Sequence, residues 1–263
     1  MKSDARPQVI PLGTASALPD ADHANAYLAV AAPSGSYWLV DCADSPIPRL
    51  MRAGMDPLDV EGLFITHFHP DHIYGLPAWW LGLRMLAHER DFVWRRSLMI
   101  CARDEVLSQI RALARIFEPQ GWLEDLPLVY HEVYPEVRVS VAQTDAFRIT
   151  AAPTKHSLPS MAVRFDWRQG EEAFVYSGDT APCRAVEILA AGASLLFHEA
   201  TGVGEGHSSA SQAGLVAARA GVRRLVLIHM DMRPAMRAEA RAAAQDTFGG
   251  PVEVARALKS YCW

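Results

Sequence analysis

Short apolar runs and longer segments of helical periodicity alternate along the chain. Runs rich in Val, Ile, Leu, Tyr and Phe, bounded by turn residues, predict strands. Segments in which apolar residues recur every three to four positions predict helices. The predicted strands are 9–12, 26–30, 37–40, 63–66, 128–133, 137–141, 147–151, 161–167, 174–177, 195–197, 225–228 and 252–254. The predicted helices are 76–87, 105–117, 185–191, 209–220 and 235–244.

This order of elements predicts a mixed α/β fold. Strands followed by helices occur in the first part of the chain and again in the second, with a break near 119–127. No low-complexity linker, sequence repeat or block of like charge separates the two parts. We therefore expect residues 1–263 to form one domain built of two similar halves rather than two independent domains.

The composition bounds the possible functions. Half of the 263 residues are hydrophobic and 21% are charged, which suits a large buried core and excludes a disordered chain. The net charge of −5 disfavours a surface that is cationic throughout. No uncharged apolar stretch approaches the roughly 18 residues of a membrane-spanning helix, and residues 1–7 lack the apolar run of a secretion signal. Four dispersed cysteines without a Cys-x-x-Cys pair suit the reducing cytoplasm.

The densest chemical signal is the segment 66–72, Thr-His-Phe-His-Pro-Asp-His, directly after an apolar run. Alternate side chains of an extended segment share a face, so His67 and His69 point the same way. Asp71 and His72 follow Pro70, which ends the strand. Three imidazoles and a carboxylate this close together predict a divalent-metal site, against the alternative of a run of surface histidines.

Three further candidate ligands stand at the carboxyl ends of later apolar runs, where side chains from different strands converge. They are His156, Asp179 and His229. Alone, each histidine would as often be a hydrogen-bonded residue near the core. Together with the first segment they complete two sets of nitrogen and oxygen donors without thiolate, which suit zinc best and manganese or iron next.

At this point the sequence resembles the metallo-β-lactamase superfamily, whose signature is His-x-His-x-Asp-His followed by a distant His, Asp and His. The resemblance implies an αββα sandwich of two mixed β-sheets flanked by helices. It also implies two metal ions at one edge, held by His67, His69 and His156 for one ion, by Asp71, His72 and His229 for the other, and bridged by Asp179. The histidine at position 69, where the oxygen-reducing branch has Glu, favours two zinc ions and hydrolysis.

Secondary motifs resemble the ribonuclease Z branch of phosphodiesterases. The most discriminating is His-Glu-Ala-Thr at 198–201 followed by Gly-His-Ser at 206–208. Weaker matches are Leu-Gly-Thr at 12–14, Asp-Cys at 41–42, Gly-Leu-Pro at 75–77 and Ser-Gly-Asp-Thr at 177–180. The match to the superfamily covers nearly the whole chain.

The chemistry of these residues is that of a dinuclear hydrolase. Two divalent ions about 3.5 to 4 Å apart can hold one hydroxide and stabilise charge on phosphorus. Asp71 could both bind metal and orient this nucleophile, and the resemblance places His207 to protonate the leaving oxygen. Glu199 would orient His207 and keep it protonated. The alternative for His207 is a loop histidine between glycines, with Ser208 or Ser209 capping the next helix.

Four more residues carry expectations. Asp41 would accept a hydrogen bond from a ligand histidine, or simply end a strand. Arg233 would clamp phosphate if it faces the site, or lie exposed at a helix start. Of Trp79 and Trp80, one would pack in the core and the other could line the cleft. A homodimer is possible through apolar positions such as Trp79 or Trp122.

Departures from the ribonuclease Z pattern limit the substrate. Pro70 replaces a glycine of the signature, and Asp179 follows His156 by 23 positions. Members that mature transfer RNA insert a long basic arm there, which this spacing does not accommodate. We therefore expect a phosphodiester substrate, either a compact molecule or an RNA 3′ region, with no membrane partner. The alternatives are a lactone, thioester or β-lactam hydrolase with the same centre, and a metal-binding protein without catalysis.

Overall fold

The computed structural model describes residues 6–117 and 121–263. Residues 1–5 lie outside the described residues. They make up most of the amino-terminal segment in which no secretion signal was expected. Positions 119 and 120 of the predicted break between halves lie outside the described residues as well. The prediction of a single domain with a break near 119–127 stays a prediction.

The described residues form two seven-stranded sheets. In spatial order the first sheet contains β14, β1, β2, β3, β4, β5 and β6, and the second contains β13, β12, β11, β10, β9, β8 and β7. The strands are β1 Gln8–Gly13, β2 Tyr27–Ala31, β3 Tyr37–Val40, β4 Val60–Phe64, β5 Leu98–Ala102, β6 Leu128–Glu132, β7 Val139–Gln143, β8 Phe147–Pro153, β9 Met161–Trp167, β10 Ala173–Tyr176, β11 Leu195–Glu199, β12 Leu225–Ile228, β13 Val252–Val254 and β14 Tyr261–Cys262.

Both sheets are mixed and follow the same plan. β3 to β6 are parallel to one another, and β1, β2 and β3 pair antiparallel. In the second sheet β10 to β13 are parallel and β7 to β10 pair antiparallel. Because β6 still pairs with the first sheet, the chain crosses to the second sheet at residues 133–138.

Helices cover the outer face of each sheet. They are α1 Pro46–Arg52, α2 Pro70–Ile73, α3 Leu76–Glu89, α4 Asp104–Phe117, α5 Arg184–Ala190, α6 Ala210–Ala220 and α7 Pro234–Phe248, with 3₁₀ turns at Pro57–Asp59 and Trp122–Asp125. Three buried apolar clusters separate the layers. One lies between the sheets and includes Trp38, Phe64, Phe174 and Phe197, and each of the others lies between one sheet and its helices. This arrangement confirms the expected αββα sandwich.

The predicted elements recur with shifted ends, and β5, α1, the single-turn α2 and the short β14 were missed. α1 contains Pro46 and Pro48, and the first turn of a helix tolerates proline because its N–H groups have no intrahelical partner. β4 begins at Val60 rather than 63, since Gly62 interrupts the apolar run. Glycine is needed there because a Cβ at Gly62 would lie 2.6 Å from the ring of Trp38.

The expectation that one tryptophan of the pair packs in the core is confirmed, and the expectation that the other lines the cleft is wrong. Trp79 and Trp80 are both fully buried between α3 and the first sheet, so neither lines a cleft. Trp79 therefore offers no surface for a dimer contact, and the homodimer stays a prediction. Among the described residues, no helix combines the length and apolar character needed to cross a membrane.

Candidate metal centre

The first sheet delivers four candidate ligands from one segment. After β4 the chain stays extended, with the Ile65 N–H bonded to the carbonyl of Cys101 at 3.0 Å. Pro70 then occupies the first position of α2, where its fixed φ suits the start of a helix. The strand therefore ends on His67 and His69, and the turn of α2 brings Asp71 and His72 to the same place.

The second sheet delivers three ligands from three strand ends. His156 follows β8, Asp179 follows β10 and His229 follows β12. His229 has φ +51°, a region that costs a non-glycine residue conformational energy. Before Asp179, Gly178 has φ +56°, and a Cβ there would lie 2.8 Å from the carbonyl oxygen of Met161. The strained backbone of His229 indicates that the surrounding fold enforces its position. Glycine is required before Asp179 because it adopts a positive φ without strain and leaves room for that carbonyl oxygen.

These seven side chains form two groups of donor atoms, each within 4.8 Å, which are called here the first and second ligand groups. In the first, the Nδ1 atom of His69 lies 2.9 Å from Nε2 of His67 and 3.1 Å from Nε2 of His156. Asp179 completes this group, with Oδ2 at 3.8 Å from Nε2 of His67. The members of the first group are His67, His69, His156 and Asp179.

The second ligand group consists of Asp71, His72 and His229. The Nε2 atoms of its two histidines lie 3.2 Å apart, and Oδ2 of Asp71 lies 3.3 Å from Nε2 of His229. Asp179 faces this group as well, with Oδ2 at 3.6 Å from Nε2 of His72 and Oδ1 at 3.5 Å from Nδ1 of His229. Its carboxylate therefore lies between the two groups, as the expected bridging ligand would.

Hydrogen bonds behind the first group fix the tautomers of its rings. The hydroxyl of Thr66 donates to Asp41 at 3.0 Å, so its oxygen accepts from Nδ1–H of His67, also at 3.0 Å. Nδ1–H of His156 donates to the carbonyl of Gly206 at 2.9 Å. In a neutral imidazole with a protonated Nδ1, Nε2 carries a lone pair. Both lone pairs therefore point into the group.

The second group is oriented in the same way. Nδ1–H of His72 donates to Oδ2 of Asp41 at 2.8 Å. The hydroxyl of Thr201 donates to the carbonyl of His229 at 2.9 Å and accepts from Nδ1–H of the same residue, also at 2.9 Å. Nε2 atoms from four histidines thus converge on two small volumes, together with carboxylates, and a divalent cation would satisfy such a set.

The electrostatics of the cluster favour a positive charge. Oδ1 of Asp179 is buried and has no hydrogen-bond partner in the part of the chain that the structure describes. Burial opposes a charge on His72, yet Asp179 and Asp41 raise the pKa of this ring well above its ordinary value. Burial lowers the pKa of His67 well below its usual range, so that ring is a neutral donor. The residues present therefore fit divalent metal ions.

His207 and Glu199 adjoin the two groups. Nδ1 of His207 lies 3.0 Å from Oε1 of Glu199, which is fully buried at the end of β11. The His207 ring lies 5.0 Å from the ring of His156 and 6.2 Å from that of His229, between centroids. The hydrogen bond to Glu199 raises the pKa of His207, against the effect of burial. The pair is placed as expected for an acid and the carboxylate that holds it.

Glu199 also fastens the loops that carry the ligands. Its carboxylate accepts from the backbone N–H groups of Thr180 at 3.1 Å, Thr201 at 2.9 Å and Ser208 at 3.1 Å. Thr180 follows Asp179, Thr201 holds His229, and Ser208 follows His207. One buried side chain thus links the loop after Asp179 to both ends of the loop 200–209, and Ser209, which caps α6 with Gln212 in a capping box, fixes the carboxyl end of that loop.

Other expectations had mixed outcomes. Asp41 accepts from His72 as expected, and it does so with φ +63°. Arg233 takes the exposed alternative, because its guanidinium bonds to Asp231 at 2.5 Å and its side chain is 72% exposed. The roles of Thr66, Thr201 and Gly206 were missed. Thr66 and Thr201 lie within the motifs, which was the available signal, whereas a backbone acceptor such as Gly206 has none.

Comparisons with known proteins agree with this geometry. Residues 38–230 match the family model described as the beta-lactamase superfamily domain. A ribonuclease Z of Mycobacterium sp. (strain KMS) is 30% identical over 272 residues, covering 94% of this chain and 93% of the relative.

Two solved structures share the fold. The metallo-beta-lactamase fold protein YhfI from Bacillus subtilis superposes with a TM-score of 0.81 at 21% identity, covering 97% of this chain and 99% of that protein. The short form of human tRNase Z superposes with a TM-score of 0.77 at 20% identity, covering 97% and 98%. The chain therefore belongs to the metallo-β-lactamase superfamily, as a metal-dependent hydrolase whose sequence is ribonuclease Z-like.

Proposed function

We propose that the protein is a dinuclear zinc phosphodiesterase of ribonuclease Z type that acts on compact phosphodiesters. The observation that carries this proposal is the hydrogen bond between His207 and Glu199 beside the two ligand groups. Hydrolysis of activated carboxyl esters or lactones needs no such acid, whereas the alkoxide that leaves a phosphodiester needs a proton.

Each ligand group would hold one ion, with Asp179 shared between them. Nitrogen and oxygen donors without thiolate suit Zn²⁺, with Mn²⁺ or Fe²⁺ as the nearest substitutes. When bound, the two ions would supply a water of lowered pKa as nucleophile and would neutralise charge that develops on the phosphate.

Asp71 would orient the attacking water. Its side chain is 14% exposed, so the carboxylate borders both His229 and solvent. Hydrogen bonds and the neighbouring histidine charge lower its pKa despite burial, which keeps it a hydrogen-bond acceptor at neutral pH. Accepting a hydrogen bond from the water aligns its oxygen with phosphorus, opposite the bond that breaks.

His207 would protonate the leaving oxygen. Nδ1–H donates to Glu199, so Nε2–H of the imidazolium is the proton available to the substrate. As the bond from phosphorus to the leaving oxygen breaks, that oxygen takes the Nε2 proton and departs as an alcohol. The water contributes its oxygen and one hydrogen to phosphorus, its other proton replaces the one that His207 gave, and the products are a phosphomonoester and the alcohol. Glu199 stabilises the imidazolium before the transfer.

The size of the substrate follows from the loops around the centre. Between β8 and β10 the described chain has only the loop 154–160, β9 and a short turn, so no inserted arm grips RNA remote from the site. The relatives named ribonuclease Z and tRNase Z make an RNA 3′ region the other phosphodiester substrate to consider. The acidic net charge of −5 favours the compact one.

The test is hydrolysis of bis(p-nitrophenyl) phosphate by purified protein after metal removal and reloading with zinc or manganese. We expect turnover that depends on the metal. The matched measurements use p-nitrophenyl acetate, a lactone and a thioester. Protein that takes up metal but hydrolyses these carboxyl compounds and leaves the phosphodiester intact would overturn the proposed function.

A further inference from the structure

Three exposed apolar side chains stand on the loops that surround His207. They are Leu18, Leu158 and Val203, which are 85%, 37% and 87% exposed and are called here the apolar rim. They lie on separate loops, 14–26, 154–160 and 200–209. Exposed large apolar residues on a stable protein are ordinary when scattered. These three residues, however, lie on loops that meet at one site, and such grouping of exposed apolar residues suggests a binding role.

Contacts of the loops place the rim beside the catalytic pair. The 14–26 loop is fastened next to His229, because the Ser16 N–H bonds to the carbonyl of Met230 at 3.2 Å. Leu158 follows His156 by two positions, and the loop of Val203 is tied to the same histidine through the carbonyl of Gly206 at 2.9 Å. Since the His207 ring adjoins the rings of both His156 and His229, the three loops that carry the rim meet beside it.

The charges on the same loops are mostly negative. The three loops contain three carboxylates, those of Asp20, Asp22 and Glu205, but one lysine, Lys155, and no arginine. The nearest arginine in sequence to His229, Arg233, is bound to Asp231. A polyanion that entered here would meet net repulsion and would gain little from counterion release. The loops suit an uncharged group.

We propose that the apolar rim binds the leaving group of the substrate and selects phosphodiesters whose leaving alcohol carries an aromatic or aliphatic body. The inference rests on the proposed function, because His207 identifies the leaving side of the phosphate. The group that receives the proton of His207 must lie against this ring. The exposed large apolar side chains of the loops that meet beside this ring are those of the apolar rim.

The experiment compares the triple variant Leu18→Ser/Leu158→Ser/Val203→Ser with Val93→Ser. Val93 is 75% exposed in the loop between α3 and β5, at the amino ends of the strands and thus at the opposite edge of the sandwich. Because all four side chains are exposed, serine should leave folding unchanged, which thermal melting checks. The substrates are bis(p-nitrophenyl) phosphate and methyl p-nitrophenyl phosphate, which share the leaving group and differ in the other ester.

We expect the triple variant to raise KM at least about tenfold for both substrates, since each apolar contact contributes a several-fold factor, with kcat changed less than about threefold. Val93→Ser should match the unsubstituted protein. Calorimetric Kd values for bis(p-nitrophenyl) phosphate in a His207→Ala background should rise by the same factor, which provides a readout without turnover.

Equal KM and Kd values in the triple variant and in Val93→Ser would overturn the proposed role of the apolar rim, and the proposed phosphodiesterase function would stand. A larger increase for the bis-ester than for the methyl ester would overturn this role too, since the rim would then contact the other ester group. Cleavage of an RNA 3′ trailer with a lower KM than either diester, unaffected by the triple variant, would also overturn the inference. Absence of phosphodiester hydrolysis by the unsubstituted protein would instead remove the proposed function.

Discussion

The two ligand groups are alike in their donors and differ in what stands behind them. In the first, the rings of His67 and His156 donate to neutral acceptors, the Thr66 hydroxyl and the Gly206 carbonyl. In the second, His72 donates to the buried carboxylate of Asp41 at 2.8 Å. A carboxylate raises the basicity of the imidazole that it holds more than a neutral acceptor does.

The groups also differ in how they are assembled. Three donors of the first group are histidines, and its fourth is the shared Asp179. The second has two histidines, one of which, His229, sits at φ +51° and is held by Thr201. The second group therefore has fewer ring nitrogens and depends more on its supports. We expect its ion to be the more sensitive to changes in residues that do not touch metal.

The largest effect should come from the side chain that the two groups share. Asp179→Ala removes the carboxylate that faces His67, His72 and His229. We expect loss of both ions and no measurable hydrolysis, because the nucleophile and the charge neutralisation disappear together. Elemental analysis and the rate with bis(p-nitrophenyl) phosphate check this, and full retention of one ion would show that the groups are independent.

A loss of catalysis without a loss of metal should follow His207→Ala. General acids contribute about 10² to 10⁴-fold to rate, and His207 belongs to neither ligand group. We expect kcat for a phosphodiester with an alkoxide leaving group to fall within that range while both ions remain, and kcat for p-nitrophenyl diesters, whose leaving group is weakly basic, to fall less. If metal content fell in parallel with kcat, His207 would be a support of the ligand groups rather than an acid.

The difference between the two ligand groups is tested by Asp41→Asn. Asparagine adopts the positive φ of +63° readily, and its Oδ1 still accepts from the Thr66 N–H, but an amide nitrogen replaces the oxygen that accepts from Nδ1–H of His72. His72 therefore loses both the charge and the acceptor behind it. We expect affinity for one of the two ions to weaken by about 10 to 100-fold, as is usual for such supports. Competition with a fluorescent zinc chelator measures the affinity for each of the two ions. Equal weakening of the affinity for both ions would contradict the difference between the two ligand groups.

A change in pH dependence should follow Glu199→Gln. The hydrogen bond to Glu199 raises the pKa of His207, so the acid stays protonated to a higher pH. An amide holds the imidazolium less well. The pKa should therefore fall, and the basic limb of the kcat/KM profile should move to lower pH. A profile that keeps its basic limb would show that Glu199 acts only as a fastener of loops.

The smallest effect should come from Ser209→Ala, which removes the side-chain cap of α6 but no contact to either ligand group. Loss of such a cap costs about 1 kcal/mol, or roughly 2–4 °C in Tm for a chain of this size. Metal content should be unchanged. A loss of metal in this variant would mean that the 200–209 loop depends on its cap as well as on Glu199.

The sequence predicted features formed by residues that are close together in the chain and missed contacts between residues that are far apart in it. The segment from His67 to His72 predicted the first half of the centre, because its candidate ligands lie within six neighbouring residues. Helical periodicity predicted five helices. His156, Asp179 and His229 were readable as single polar residues after apolar runs, with the family resemblance to assign them. The pairing of Asp41 with His72, 31 positions apart, could be guessed only as an alternative.

Features with no residue-type signature were beyond prediction. The support of His156 is a backbone carbonyl 50 positions away, and any residue has one. α1 was missed because its prolines break helices everywhere except in the first turn. The burial of Trp79 and Trp80 depends on which face of α3 meets the sheet, and a helix with apolar residues on several faces does not specify that.

The most direct measurement of the central claim is the number of zinc ions per chain. Protein depleted of metal, reloaded with zinc and freed of excess is analysed for zinc and for protein concentration. Two converging groups of donors predict two ions per chain, and the Asp41→Asn variant at limiting zinc should retain one. A single ion in the unsubstituted protein, or none, would contradict the dinuclear centre.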